Sequence, residues 1–325
     1  MNSTQPARRP TAGSVDKQDR PTVIYIMGYG RSGSTILDIL LNQHDDVISV
    51  GALANIYEWL LRKEACGCAE KVEACSFWAN VCERTLDVAD EAELSERRDL
   101  QSAVESIRRY PALALGWSSK RRTADYAAEM ERLFAAIAET SESRFVVDSS
   151  KSAHDCTGRP LALFRHTRLD VKIIHLVRDG RGVAWSVMKG AGSQERKRRF
   201  TRPSLNFLRA VAGWTLANFC ALVTTRLLPR RAVLRVRYED LCDAPQQTMD
   251  RIGDFIGLDM TRVCEAIEQG RELQTSHNLG GNRVRFTRRL KFRPDQEWRT
   301  KMPLSYRTAF RLASWPLTRM LGYGR

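Results

Sequence analysis

One stretch constrains this chain more than any other: Val23-Ile24-Tyr25-Ile26-Met27-Gly28-Tyr29-Gly30-Arg31-Ser32-Gly33-Ser34-Thr35-Ile36-Leu37. An apolar run breaks at a glycine-rich turn, and a helical pattern with apolar Ile36, Leu37, Leu40 and Leu41 follows. Strand, glycine loop and helix in this order aim backbone N–H groups and the positive end of a helix at an anion. Against the pattern G-x-x-x-x-G-K-[ST], residues Gly28 to Thr35 supply both glycines and the hydroxyl, but Ser34 stands where the lysine belongs. The cation is instead Arg31, whose planar guanidinium suits a fork of oxygens at a fixed position. A nucleoside triphosphate site needs that lysine on its β- and γ-phosphates, so this loop is built for another anion.

A second cluster narrows the choice. Val171-Lys172-Ile173-Ile174-His175-Leu176-Val177 is a β-branched run of the kind buried in a parallel sheet, and it leads into Arg178-Asp179-Gly180-Arg181-Gly182 and a helical stretch that carries Ser186. Ligands of open α/β sheets lie beyond the carboxyl ends of strands, where Arg178 emerges. Arg178 and Ser186 together suit a second phosphate, although an Arg/Asp pair that caps the helix explains the same residues. The two clusters, in this order, resemble the sulfotransferases that use 3′-phosphoadenosine 5′-phosphosulfate (PAPS). In that family the glycine loop holds the 5′-phosphosulfate, and an arginine and a serine at this spacing hold the 3′-phosphate. The resemblance runs from about residue 22 to the C-terminus. It assigns Gly30, Arg31, Ser32, Gly33, Ser34 and Thr35 to the 5′ end, and Arg178 and Ser186 to the 3′-phosphate. Arg235-Val236-Arg237-Tyr238-Glu239-Asp240-Leu241 resembles a later strand ending in R-Y-E-D-L. His277-Asn278-Leu279-Gly280-Gly281-Asn282-Arg283 resembles the late loop that closes over the nucleotide, with Arg283 or Arg285 directed to the 3′-phosphate.

Strand patterns fall at about 22–27, 145–148, 171–177 and 232–237, with helical patterns at 92–109, 124–140, 205–223 and from Pro245 to Ile256. Strands that alternate with helices imply crossover connections and a parallel sheet covered on both faces. The expected fold is therefore α/β, a P-loop-type parallel sheet flanked by helices, with one domain over 22–325 and a helical, cysteine-bearing insertion at about 54–142. An acceptor would enter beside that insertion. Residues 1–21 lack apolar periodicity and are expected to form a disordered tail. Trp214 and Phe219 are expected in the core rather than at a ligand.

No early h-region and no run of eighteen apolar residues appears, which predicts a cytoplasmic protein. The 52 basic against 38 acidic residues give a net charge of +14. A groove for PAPS, which carries about four negative charges, accounts for part of this excess. The basic run from Glu195 to Arg202 suits peripheral contact with a membrane surface, an acidic substrate or solvent. No zinc finger, basic zipper or RNP aromatic pattern accompanies the charge, so nucleic acid is not an expected partner. Of the eight cysteines, Cys66, Cys68, Cys75 and Cys82 cluster without a C-x2-C knuckle, so no metal is expected and reduced thiols are the default.

Sulfuryl transfer requires cations on the leaving oxygens and a base for the acceptor. Arg31, with loop N–H groups and Ser34 or Thr35, is the candidate for the first role. Many relatives carry a glutamate base in G-E-L after the first helix; here the triplet is Gly51-Ala52-Leu53. Glu58 is a nearby substitute. Phe145-Val146-Val147-Asp148-Ser149-Ser150-Lys151-Ser152-Ala153-His154 resembles the strand end that presents lysine or histidine to the reaction. Lys151 ranks first there, for the bridging oxygen, then Asp148 and then His154 as base. The expected reaction moves the sulfuryl group of PAPS to a hydroxyl or amine of a small molecule, glycan or lipid. A kinase-like phosphotransferase and a silent PAPS-binding protein stand as alternatives.

Overall fold

The computed structural model describes residues 20–85, 90–152, 155–189, 203–280, 286, 289–290 and 295–323. His154, Arg283, Arg285, the basic run 195–202 and nearly all of the expected tail lie outside these residues. The framework is a five-stranded sheet in which every pairing is parallel. The strands are β1 (Thr22–Met27), β2 (Val47–Ser49), β3 (Phe145–Asp148), β4 (Asp170–Val177) and β5 (Val233–Arg237), in the spatial order β2-β3-β1-β4-β5. The two strands carrying the anion-binding sequences, β1 and β4, are thus central neighbours, paired from Thr22 against Asp170 to Met27 against His175. Their carboxyl ends open on one rim, and the connections at 28–33 and 178–179 meet there.

Both faces of the sheet are covered, which explains why β1 is apolar from Val23 to Met27. Val23, Tyr25 and Met27 face a cluster built with α2 (Ile56–Leu61), α3 (Ser76–Thr85), α4 (Glu91–Glu105), α6 (Lys120–Ser141) and α7 (Arg159–His166). The intervening Ile24 and Ile26 face α1 (Ser34–Leu41) and the helices Pro245–Ile256 and Thr261–Glu268. Between β2 and β3 the regular elements among the described residues are all helical, and they include α5 (Tyr110–Ala114). α8 (Gly180–Met188) packs on the helices Pro203–Leu227 and Leu304–Met320 in a third cluster around Trp214 and Phe310.

Helix Pro203–Leu227 has the length and apolarity of a membrane span, and half of its most apolar window is buried. Trp214 is fully buried, as expected, and its indole N–H donates to the Arg178 carbonyl at 3.1 Å. Phe219 corrects the expectation: it is 58% exposed. Helical period alone did not distinguish a helix with two apolar faces from one with a single buried stripe.

Candidate active site

The loop after β1 needs its glycine at position 33 for two reasons. Gly33 adopts φ 95° as the N-cap of α1, and a β-carbon there would stand 2.3 Å from the ring of Tyr238. The helix closes with the Ile36 and Leu37 N–H groups donating to the Gly33 carbonyl at 3.0 and 3.1 Å, and no side chain caps it. The start of α1 therefore faces the rim with backbone donors, as an anion site requires. Arg31 takes the left-handed conformation, φ 70°. Ser32 is buried, and its Oγ has no hydrogen-bond partner among the described residues. A buried unpaired hydroxyl in such a loop fits a ligand oxygen that completes it.

The two expected anion elements come together. Arg31 Nε donates to Ser186 Oγ on α8 at 3.3 Å. From the end of β4, Arg178 Nη1 donates to the Arg31 carbonyl at 3.1 Å, and Nη2 to the Asp295 carbonyl at 2.6 Å. The Asp295 carboxylate also pairs with it at 3.2 Å. The Arg178 guanidinium lies 4.6 Å from the centre of the Tyr238 ring, while its buried Nε has no partner among the described residues. The cap on α8 comes from Asp179, which accepts from the Arg181 N–H at 2.9 Å. The helix-cap explanation therefore accounts for Asp179 but leaves Arg178 turned to the glycine loop.

Lys151 is tied to the same rim. Its backbone turns at φ 73°, the Tyr25 hydroxyl donates to its carbonyl, and the next N–H, of Ser152, donates to Gly28 at 2.8 Å. Burial pulls the Lys151 ammonium pKa down, while the charges of Asp38, Cys156 and Asp148 push it back up. Asp148 is fully buried, and its carboxylate is fully engaged. It accepts from Arg159 Nε at 2.8 Å and from the Ser150 N–H at 2.9 Å, with the Ser150 hydroxyl as a third donor. Arg159 reaches on to Glu105, which also accepts from the Tyr126 hydroxyl at 2.7 Å. These contacts tie Asp148 to the Ser150 end of the turn that leads into Lys151.

The triplet Gly51-Ala52-Leu53 packs against the late loop. The Ala52 N–H donates to the Leu279 carbonyl at 2.6 Å, and the Ala52 methyl lies under Gly280, which also meets Trp59. Glu58, on α2, is paired with Arg62 at 2.5 Å and Arg98 at 3.5 Å.

Two residues that sequence reasoning missed belong to this site. Asp38, one turn beyond Ser34 on α1, is fully buried, and Asn278 Nδ2 donates to its Oδ2 at 2.6 Å. Burial pushes its pKa up to about 7, against the lowering effect of the Ser49 and Ser149 hydroxyls and of Lys151. The available signal was a single carboxylate inside the apolar run Ile36-Leu37-Asp38-Ile39-Leu40. Tyr238 is the other: its ring separates Gly33 from Arg178, and its hydroxyl accepts from the Asp295 N–H at 3.1 Å. Beyond the rim, Cys66, Cys68, Cys75 and His277 converge although their spacing gave no metal signature.

Comparison with known proteins agrees with this geometry. Residues 21–262 match the model of a sulfotransferase family. No curated relative matches in sequence. Among solved structures, the sulfotransferase domain of the Synechococcus PCC 7002 olefin synthase has a TM-score of 0.53 at 20% identity, covering 97% of this chain and 99% of its own. The sulfotransferase domain from the curacin biosynthetic pathway has a TM-score of 0.50 at 20% identity, over 93% and 98% of the two chains. Sulfotransferase STF9 from Mycobacterium avium has the same score at 14% identity, over 93% and 77%. These likenesses show the fold; with the family match over three quarters of its length, they establish that the chain belongs to the sulfotransferase family.

Proposed function

We propose that this protein transfers the sulfuryl group of PAPS to an acceptor hydroxyl or amine. The observation that carries the reading is the joining of the two anion elements. Arg31 reaches Ser186, and Arg178 reaches back to the Arg31 carbonyl, across 147 positions of sequence. A ligand with phosphates at both ends of one nucleoside fits that pairing, and the unpaired Ser32 Oγ and Arg178 Nε give it donors. The loop from Gly30 to Thr35 would hold the 5′-phosphosulfate, and Arg178 with Ser186 the 3′-phosphate.

In the reaction, the acceptor oxygen or nitrogen forms a bond to sulfur as the bond from sulfur to the bridging phosphate oxygen breaks. The protein's part is to align the groups and stabilise charge on the leaving oxygen. Arg31 and Lys151 are the cations for that charge, and Asp148 with Arg159 fixes the Lys151 turn. The acceptor's proton passes to a base, and buried Asp38 beside Lys151 joins Glu58 as a candidate for it. The acceptor, a small molecule, glycan or lipid, would approach from the helical segment between β2 and β3. Ala52, where the resemblance expects a glutamate base, supports a second reading, a PAPS-binding protein without turnover.

Arg178→Ala separates the two ends of the nucleotide. It should weaken 3′-phosphoadenosine 5′-phosphate (PAP), the desulfonated product, by about 1.5–3 kcal/mol, the cost of a charge-assisted contact. Adenosine 5′-phosphosulfate, which has no 3′-phosphate, should bind nearly as before. Titration calorimetry with both ligands measures this, and an equal loss for both would remove Arg178 from the 3′-phosphate.

A further inference from the structure

We propose that Cys66, Cys68, Cys75 and His277 form a structural zinc site, separate from the sulfuryl-transfer centre, that fastens the helical segment to the late loop. Each of the four residues offers one ligand atom, and all four atoms lie within 4.8 Å of one another. His277 Nδ1 stands 3.1 Å from Cys75 Sγ and 3.8 Å from Cys66 Sγ. With Zn–S near 2.3 Å and Zn–N near 2.0–2.1 Å, a tetrahedral ion demands sulfur–nitrogen edges of about 3.6 Å and sulfur–sulfur edges of about 3.8 Å. The observed separations bracket the first edge, and the upper bound contracts to the second with small rotations of side chains. Three thiolates and one imidazole are a soft, four-ligand set that leaves no open position for water, which is the mark of a structural site rather than a catalytic one.

The surrounding backbone is shaped to hold these donors. Cys66 and Cys68 sit on a tight reversal: the Cys66 N–H donates to the Glu70 carbonyl at 2.7 Å, and the Ala69 N–H returns to the Cys66 carbonyl at 2.9 Å. Between them, Gly67 lies so close to the late loop that a β-carbon would stand 2.5 Å from the Ser276 carbonyl oxygen. Cys75 immediately precedes α3, and the Ala79 N–H donates to its carbonyl at 2.7 Å. His277 is fixed twice from α3, by the Trp78 indole N–H on its carbonyl at 2.8 Å and by stacking on Phe77 with centroids 5.0 Å apart. That orientation turns Nδ1 to the sulfurs.

The ion would bind by replacing the three thiol protons. Its place in the fold gives it a purpose. The loop bearing His277 continues into Asn278, which bonds Asp38, and into Leu279, whose N–H and carbonyl pair with Val50 and Ala52 beside the sheet rim. A metal clasp at 66, 68, 75 and 277 therefore holds the late loop against the edge of the active site from outside it.

Elemental analysis of the full chain, purified without chelator and without a histidine tag, tests the proposal. One zinc per chain is expected, with strong loss in Cys75→Ser and His277→Ala and none in Cys82→Ser, a buried thiol on α3. Because the ligand variants can fail to fold, the unmutated protein is also exchanged with Co2+. Tetrahedral d–d absorption and thiolate-to-cobalt charge transfer are then expected. Far less than one zinc together with no such cobalt spectrum after reduction would overturn the site. So would an intact-mass loss of two hydrogens that locates a Cys66–Cys75 disulfide, and so would full zinc retention in folded His277→Ala.

Discussion

Lys151→Ala should lower sulfuryl turnover by about 10²- to 10³-fold, the cost of removing one preorganised donor to developing charge. PAP affinity should stay nearly unchanged. The split follows from where Lys151 acts. Transition-state contacts appear in the rate, whereas contacts already made to the bound anion appear in affinity as well. Arg31→Ala, which removes the guanidinium bonded to Ser186, should therefore damage both. Hydrolysis of PAPS, or transfer to a library of hydroxyl compounds, supplies the rate, and calorimetry with PAP supplies the affinity. Near-full turnover in Lys151→Ala would dismiss it as a reacting-centre cation and leave Asp38 and Glu58 as the groups to replace next. PAP binding with no transfer by the unmutated chain would favour the silent-binder reading.

Arg159→Met should destabilise the fold by about 3–5 kcal/mol, the penalty for stranding buried charge. Arg159 has no exposed surface, and neither does Asp148; Glu105 is 1% exposed. Burial works against the Arg159 charge, but the two carboxylates more than offset it and hold its pKa well above the ordinary arginine value. Burial likewise raises the Glu105 pKa, and Arg159 is the chief force lowering it. Without the guanidinium the two carboxylates face each other in a dry interior. Combining Arg159→Met with Glu105→Gln and Asp148→Asn should recover most of the loss, because no unpaired charge then remains. Chemical denaturation of the single and triple variants measures both. A single variant as stable as the parent would show that water reaches this network.

The sheet was legible because its central strands are buried on both faces. The strands expected at 22–27 and 145–148 coincide with β1 and β3, on the apolar runs 23–27 and 145–147, and those expected at 171–177 and 232–237 differ from β4 and β5 by one residue each. β2 was not legible: Val47–Ser49 has three residues, too few for a period to show. The helix from Pro245 to Ile256 matched its pattern at both ends, since a proline opens it and Gly257, at φ 81°, ends it. Helix Pro203–Leu227 was found, but its exposed apolar face, with Leu208 and Phe219, has no signature distinct from a core stripe.

The candidate site divides in the same way. Arg31, Arg178 and Ser186 were readable because each stands at a fixed offset from a strand end, and the fold brings those ends together. Asp38, Tyr238 and His277 owe their roles to segments far apart in sequence. His277 lies 211 positions from Cys66, and no local spacing announces that contact. Asp148 was readable because it ends a strand beside Lys151, but its ion pair was not: Arg159 comes from the next helix, where an arginine usually reads as a solvated charge.

The most direct test of the central claim compares PAP, without metal, against ATP with Mg2+ by titration calorimetry on the unmutated protein. Ser34 in place of a phosphate-binding lysine, together with the proposed role of Arg178 and Ser186 at a 3′-phosphate, predicts that PAP binds more tightly. Tighter binding of Mg-ATP would contradict the account and return the chain to the phosphotransferases.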